Sequence, residues 1–264
     1  MRAAAASRAA GAIVAAALFS GACAARLPPR PSGAATPAPD ALELFTRATA
    51  HCEGLRTMTS ELSLSGHAGD ERLRGRVIAG LERGGRARLE GVAPFGAPIF
   101  ILAARDERAT LLLPRDRRVL QDAAVGAVIE RLTGLPLGAD DLRGVLAGCP
   151  GAGAAQEGRS WPGGWRAVGI GDGRTAFLRE RSGQWTVVAV DAGAWRADYA
   201  TVVNGYPREV RLRTTDGAVD VIARVAQLEV NTDIDAAAFD VEVPPGTEPM
   251  TLDELRSVAP LRTP

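Results

Sequence analysis

The strongest constraint on the fold is a change of hydrophobic period between Arg86 and Gly153. The first half of this stretch alternates. Ala87, Leu89 and Gly91 point one way, and Arg88 and Glu90 the other. Residues two apart share a face of a strand, so this is a sheet with one wet face. Phe100–Leu102 and Leu111–Leu113 are short apolar runs of the kind that form buried or barrel-lining strands. The second half has a helical period. Val125, Val128, Ile129 and Leu132 fall at i, i+3, i+4 and i+7, and Leu142, Val145 and Leu146 repeat the stripe after Pro136 and Gly138 break the chain. Two short amphipathic helices need an apolar surface to cover, and the inner face of the sheet is the obvious one. The fold class that follows is α+β and mostly antiparallel: an unclosed β-barrel with short helices plugging an apolar cavity. Leu89, Phe100, Leu102 and Leu112 are the expected strand side of that cavity, and the two helical stripes its other side.

The N-terminus has the pattern of an export signal over residues 1–22. Arg2 and Arg8 give the positive start, and Ala9–Phe19 is an apolar segment too short to span a bilayer as a stable helix. Ser20-Gly21-Ala22-Cys23 then resembles the bacterial lipobox, whose Cys is acylated and becomes the mature N-terminus. Ser20 departs from it, since an aliphatic residue is usual there. The alternative is an ordinary signal peptide cut between Ala22 and Ala25, with Cys23 incidental. Residues 23–39 are rich in Pro and carry no core-forming pattern, so they read as a lipidated tether. The domain is expected over residues 40–264. Asp40 and Glu43 have capping-box spacing at the start of a helix running to about Cys52, with Ala41, Leu44, Phe45, Ala48 and Cys52 on one face.

Strands are expected at 61–66, 73–81, 86–92 and 98–104, with five or six in a meander over 60–121. Gly69-Asp70 and Gly84-Gly85 supply hairpin turns. After the helical pair, 151–164 reads as loop. Further strands are expected at 165–170, 175–180, 184–190, 196–203, 207–214 and 218–231. Regularly spaced short strands with turns between them argue a sandwich or barrel.

Residues that could carry enzyme chemistry are few. His51 and His67 are the only histidines, and adjacent helical residues such as His51 and Cys52 do not face each other. No Gly-x-Ser-x-Gly elbow is present. Gly169–Gly173 lies between two strands and reads as a hairpin turn, not a phosphate cradle. Asp140-Asp141 suits a helix N-terminus. Two histidines without a Cys-x-x-Cys pair leave no zinc site, so neither a catalytic residue, a metal nor a cofactor is expected. The 31 basic residues, all Arg, balance 31 acidic ones, which is no nucleic-acid footprint. Cys52 and Cys149 are the thiols left beside Cys23, and an even pair in an oxidising compartment favours a disulfide over two buried thiols.

Leu132-Thr133-Gly134-Leu135-Pro136, then Leu142-Arg143, then Gly148-Cys149-Pro150-Gly151 resembles the LolB family of outer-membrane lipoprotein receptors. That family shows Leu-Thr-Gly-x-Pro, a Leu-Arg pair and Gly-x-Pro-Gly at similar spacing. Pro94-Phe95-Gly96 is similar to its Pro-apolar-Gly loop between the third and fourth strands. The resemblance spans about residues 58–230. It implies an unclosed barrel over an acyl-binding cavity, no enzymatic activity, lipid anchoring in the outer membrane facing the periplasm, and a monomer. The implied partners are acylated lipoproteins and a periplasmic LolA-like carrier. Cys52, Cys149 and the tail after Asn231 depart from the family pattern. A structural or envelope-assembly lipoprotein that reuses the fold without cargo is the alternative.

The loop Val92–Pro98 contains no charge, which is odd for a solvated connection. With Phe95 outward, it is an apolar finger suited to a bilayer interface, and it resembles the position where LolB-type proteins carry a protruding apolar residue used in membrane transfer. With Phe95 folded under the sheet, it closes the core.

Overall fold

The structure is a computed structural model that describes residues 29–93, 95, 98–151, 153–258 and 261–263. The export signal and Cys23 lie outside the described residues. The chain opens with β1 (Thr36–Pro37) and α1 (Asp40–Glu53). A six-strand meander follows: β2 (Thr57–Ala68), β3 (Glu71–Glu82), β4 (Arg86–Gly91), β5 (Ile101–Arg105), β6 (Arg108–Leu113) and β7 (Arg118–Ala124). Helices α2 (Val125–Thr133) and α3 (Ala139–Ala147) interrupt the sheet. Seven strands come next: β8 (Ala155–Trp161), β9 (Trp165–Ile170), β10 (Thr175–Arg181), β11 (Gln184–Asp191), β12 (Trp195–Val203), β13 (Tyr206–Thr214) and β14 (Val219–Val230). A 3-10 turn at Ala236–Phe239, β15 (Glu248–Pro249), α4 (Leu252–Val258) and β16 (Arg262–Thr263) complete the chain.

All strands join one sheet in the order β1-β8-β9-β10-β11-β12-β13-β14-β2-β3-β4-β5-β6-β7-β15, with β16 beside β3. The two ends of that path, β1 and β15, do not pair, so the barrel is unclosed, in line with the expected fold class. Every pairing is antiparallel except β15 on β7. The junction of β14 on β2 runs from Val219 opposite Ala68 to Val230 opposite Met58, with a bulge between Ala226 and Leu228. It links the last long strand to the first and curls the sheet around its apolar face. The outer face is laced with ion pairs such as Arg88–Glu90 and Arg211–Asp220, each worth about 0–1 kcal/mol at the surface.

The core divides between helices. α1 lies over β8, β9 and β11, burying Ala41, Leu44 and Phe45. α2 and α3 cover the other half, α2 over β6 and β7 and α3 over β3, β4 and β13. The sequence pattern assigns plugging to the helical pair alone, but α1 closes one half of the curl by itself. No helix among the described residues is long and apolar enough to cross a membrane.

Several expectations are corrected. Residues 155–161 form β8, not loop, beside the edge strand β1. Asp40 is not a capping residue: Pro39 occupies that position, no side chain caps the helix, and the Asp40 carboxylate accepts from Arg166 Nε at 3.1 Å. Arg30–Pro39, expected as the end of the tether, lies against the sheet. Arg30 donates to Asp191 at 2.8 Å and to the buried Asp198 at 3.3 Å, and its guanidinium sits 5.2 Å from the centre of the Phe177 ring. Ala38 N donates to Gly158 O at 2.9 Å. A Cβ on Gly158 would come within 2.1 Å of Ala38 O, so only glycine permits this approach.

Leu112 is also corrected. Alternation along β6 turns Leu111 and Leu113 into the core and Leu112 to the outer face. Leu112 is nonetheless buried there, in line with Ala103 and Val119. The 3-10 turn lies against β4 and β5 on that side and buries Phe239.

Candidate functional site

An apolar cavity of about 70 Å³ lies between the sheet and the helical pair. Leu62 and Leu64 of β2, Val77 of β3, Leu89 of β4 and Phe100 form its strand side. Ile129 and Leu132 of α2 and Leu142 and Leu146 of α3 form its roof. Leu212, Val221 and Ala223 close the flank. Thr133 is the one hydroxyl in the lining, and it donates to Ile129 O at 2.8 Å, within its own helix. Among the described residues nothing polar is left facing inward to hold water, which needs two to four polar partners. The space suits hydrocarbon.

The cavity residues expected from the pattern separate into three groups. Leu89, Phe100, Ile129, Leu132, Leu142 and Leu146 line the free space. Leu102, Val125, Val128 and Val145 are buried in the surrounding core without lining it. Leu112 is on the other face. Pattern reading does not pick out Leu135, Leu137 or Leu261. The first two sit in the link between α2 and α3, where no period applies, and Leu261 is contributed by the far C-terminus.

The link is shaped by Gly134. Its φ of +76° ends α2 in the left-handed region, which glycine enters without steric cost. A Cβ there would meet Val219 Cγ2 at 2.7 Å. The Leu-Thr-Gly-x-Pro motif therefore has a mechanical role: it stops α2 and lets the turn pack onto β14. α3 starts with Asp140 and Asp141 in its first turn, and Asp141 accepts from Gly138 N at 3.3 Å.

The two roof helices are held differently. α3 is pinned. Cys52 and Cys149 are joined in a disulfide with Cα atoms 5.7 Å apart, tying the end of α1 to the residues just after α3. Arg143 of α3 also donates to Leu55 O at 3.3 Å. α2 has contacts of another kind, with α4 packed on it and an exposed Arg131–Asp253 ion pair at 3.1 Å.

His51 is half-buried beside the disulfide, not a surface residue facing away from Cys52. Its Nε2 lies 3.5 Å from Cys52 Sγ and 3.8 Å from Cys149 Sγ, and 3.1 Å from Ala147 O. Tyr206 stacks edge-on against it at 4.9 Å. Cys52 is likewise half-buried. His51, Cys52 and Cys149 offer donor atoms within 4.8 Å of one another. Sulfur binds metal as thiolate, a form the disulfide removes.

At the β4–β5 end, Phe95 is 88% exposed. Its carbonyl accepts from Arg115 Nη2 at 3.2 Å, which ties the loop to the β6–β7 turn. Pro94 and Gly96 lie outside the described residues. Five positions on, Phe100 lines the cavity, so one connection carries both an outward ring and an inward one.

No family model matches this chain, and no curated protein matches it at a significant level. Among solved structures, it is similar to a DUF1329 family protein from Desulfovibrio piger, with 11% identity over 77% of this chain and 97% of that one and a TM-score of 0.49. It is similar to a LolA superfamily protein from Nitrosomonas europaea, with 8% identity over 76% and 97% and a TM-score of 0.49. A third, lipoprotein LppX from Mycobacterium tuberculosis, has 11% identity over 75% and 98% and a TM-score of 0.33. Likenesses this distant assign no function, and the functional reading comes from the chain's own geometry.

Proposed function

We propose that this chain is a lipid-anchored binding protein, without enzymatic activity, that takes acyl chains of lipoproteins into the cavity under α2 and α3 and aids their insertion into the outer membrane. The observation that carries this reading is the cavity itself: an apolar space roofed by two short helices in an unclosed barrel, with the exposed Phe95 loop at the Phe100 end. Acylation of Cys23 would anchor the chain on the outer membrane facing the periplasm, and multiple acyl chains, at about 0.8 kcal/mol per buried CH₂, give firm attachment. Phe95 would then dip into the bilayer interface. The partners on this reading are acylated lipoproteins and a periplasmic LolA-like carrier.

The test is transfer. The full chain, kept unacylated by Cys23→Ser, is loaded with a fluorescent diacyl lipopeptide and mixed with phospholipid vesicles. Saturable loading followed by delivery to the vesicles is expected. Failure to load removes the reading. One observation favours a second reading. Small-molecule pockets span about 300–1,000 Å³, and the cavity here holds only about 70 Å³. A structural envelope lipoprotein would keep such a core filled and bind no lipopeptide.

A further inference from the structure

The tail after Asn231 adds only the two-residue strands β15 and β16 to the sheet, yet its end reaches the cavity. β4 is shorter than β3. Its pairing ends with Gly91 opposite Val77, and Val92 N then donates to Arg76 O at 2.8 Å. The chain leaves there into the Phe95 loop, so the first residues of β3 lose their neighbour on that side. β16 takes the empty place. Arg262 pairs with Leu73 and Thr263 with Arg72, and Arg74 N donates to Leu261 O at 3.2 Å. The tail thus continues the line of β4 past the point where the loop departs.

This placement puts Leu261 into the cavity lining, 4% exposed. Its Cδ2 would lie 3.3 Å from a Cβ on Gly75, so it fills the gap beside β3. Upstream, Leu255 of α4 is buried and α4 packs on α2, the roof helix that the disulfide does not hold. The polar contacts over this part are at the surface: Arg131–Asp253 and Arg118–Glu254, with the two carboxylates 90% and 50% exposed. Leu261 is an aliphatic side chain just before the two-residue strand β16, seated in the lining of an apolar cavity.

We infer that Leu261, held by β16 and following α4 in the chain, is a built-in occupant of the acyl site that holds the place of an acyl chain and leaves when one enters. This inference rests on reading the cavity as an acyl site. It accounts for the small free volume: the site is closed by the protein's own tail, and displacing the tail frees both the gap beside β3 and α2.

The test uses the full chain carrying Cys23→Ser and a dipalmitoyl lipopeptide as probe, with hydrogen exchange at the Arg74 amide as the report on the tail. Saturating lipopeptide is expected to speed Arg74 exchange at least tenfold. Leu261→Asp is expected to exchange fast at Arg74 without probe and to bind it about tenfold more tightly. Leu261→Ala, a milder change that guards against misfolding, moves both readouts the same way by less. Lipopeptide that binds while Arg74 stays protected, or binds Leu261→Asp no more tightly, overturns the inference and leaves the acyl site standing. Absence of binding in the parent chain and both variants overturns the two together.

Discussion

Removing the Cys52–Cys149 disulfide tests how the roof is held. The bond closes a loop of 97 residues. Chain-entropy arithmetic for a loop of that length gives about 4.7 kcal/mol at 25 °C, from the conformations denied to the unfolded chain. Each kcal/mol moves the midpoint of a domain this size by about 2–4 °C, so Cys52→Ala/Cys149→Ala is expected to melt roughly 10–20 °C below the oxidised parent. Scanning calorimetry of the oxidised parent, the reduced parent and the double variant measures this, and the last two should agree. The loss should also be local. α3, tied at its end by Cys149, is expected to exchange its amides faster in the variant, while α2, which the bond does not touch, changes little. A fall of less than about 3 °C, or equal loosening of α2 and α3, would refute the view that the bond pins one roof helix and spares the other.

Three further outcomes follow from single side chains. Phe95→Glu is expected to leave stability within about 0.5 kcal/mol, as for an exposed site, while vesicle sedimentation shows at least about tenfold weaker membrane binding, since burying a Phe ring is worth roughly 1.5–3 kcal/mol; a stability loss of about 3–5 kcal/mol would mean that the ring closes the core. Tyr199 is fully buried, burial pushes its phenol pKa up, and its hydroxyl has no partner among the described residues, so Tyr199→Phe is expected to raise denaturant stability by about 1 kcal/mol, and a loss of that size would reveal a bonded hydroxyl. The hydrogen bond from Arg211 holds the Asp220 carboxyl below its ordinary value, so its stabilisation is complete above the unfolded pKa of about 3.9 and fades as pH falls through the lower folded value; the deficit of Asp220→Asn should be constant near neutrality and close in strong acid, and a pH-independent deficit would dismiss the charge.

The meander was legible because its strands are wet on one face, so that Leu62, Val77 and Leu89 stand out against Arg and Glu. The roof helices were legible because Val125–Leu132 carries an unbroken stripe. β8 was not: at 155–161 it pairs beside the short β1 and carries no apolar alternation, so nothing separates it from loop. Leu112 was misassigned because an all-apolar run such as Leu111–Leu113 hides its parity, and the outer face there is itself covered by the tail. The capping box at Asp40 and Glu43 has the right spacing, but Pro39 takes the capping position and Arg166 takes the carboxylate. The same signature at Thr251 and Glu254 is real, with Thr251 N donating to Glu254 Oε2 at 2.7 Å. The candidate site was half visible. Its faces follow from alternation, but its filling depends on Leu261, which reaches it only through a long-range pairing of β16 with β3 that a two-residue strand does not advertise.

The central claim is that hydrocarbon enters this particular cavity. Photocrosslinking tests it most directly. The Cys23→Ser chain is incubated with a lipopeptide carrying a diazirine near the end of one acyl chain, irradiated, digested and mapped by mass spectrometry. The account predicts labels on the cavity lining, at Leu89, Phe100, Leu132 or Leu146, suppressed by excess unlabelled lipopeptide. Labels confined to Phe95 and the outer face, or not suppressed by competitor, would contradict it.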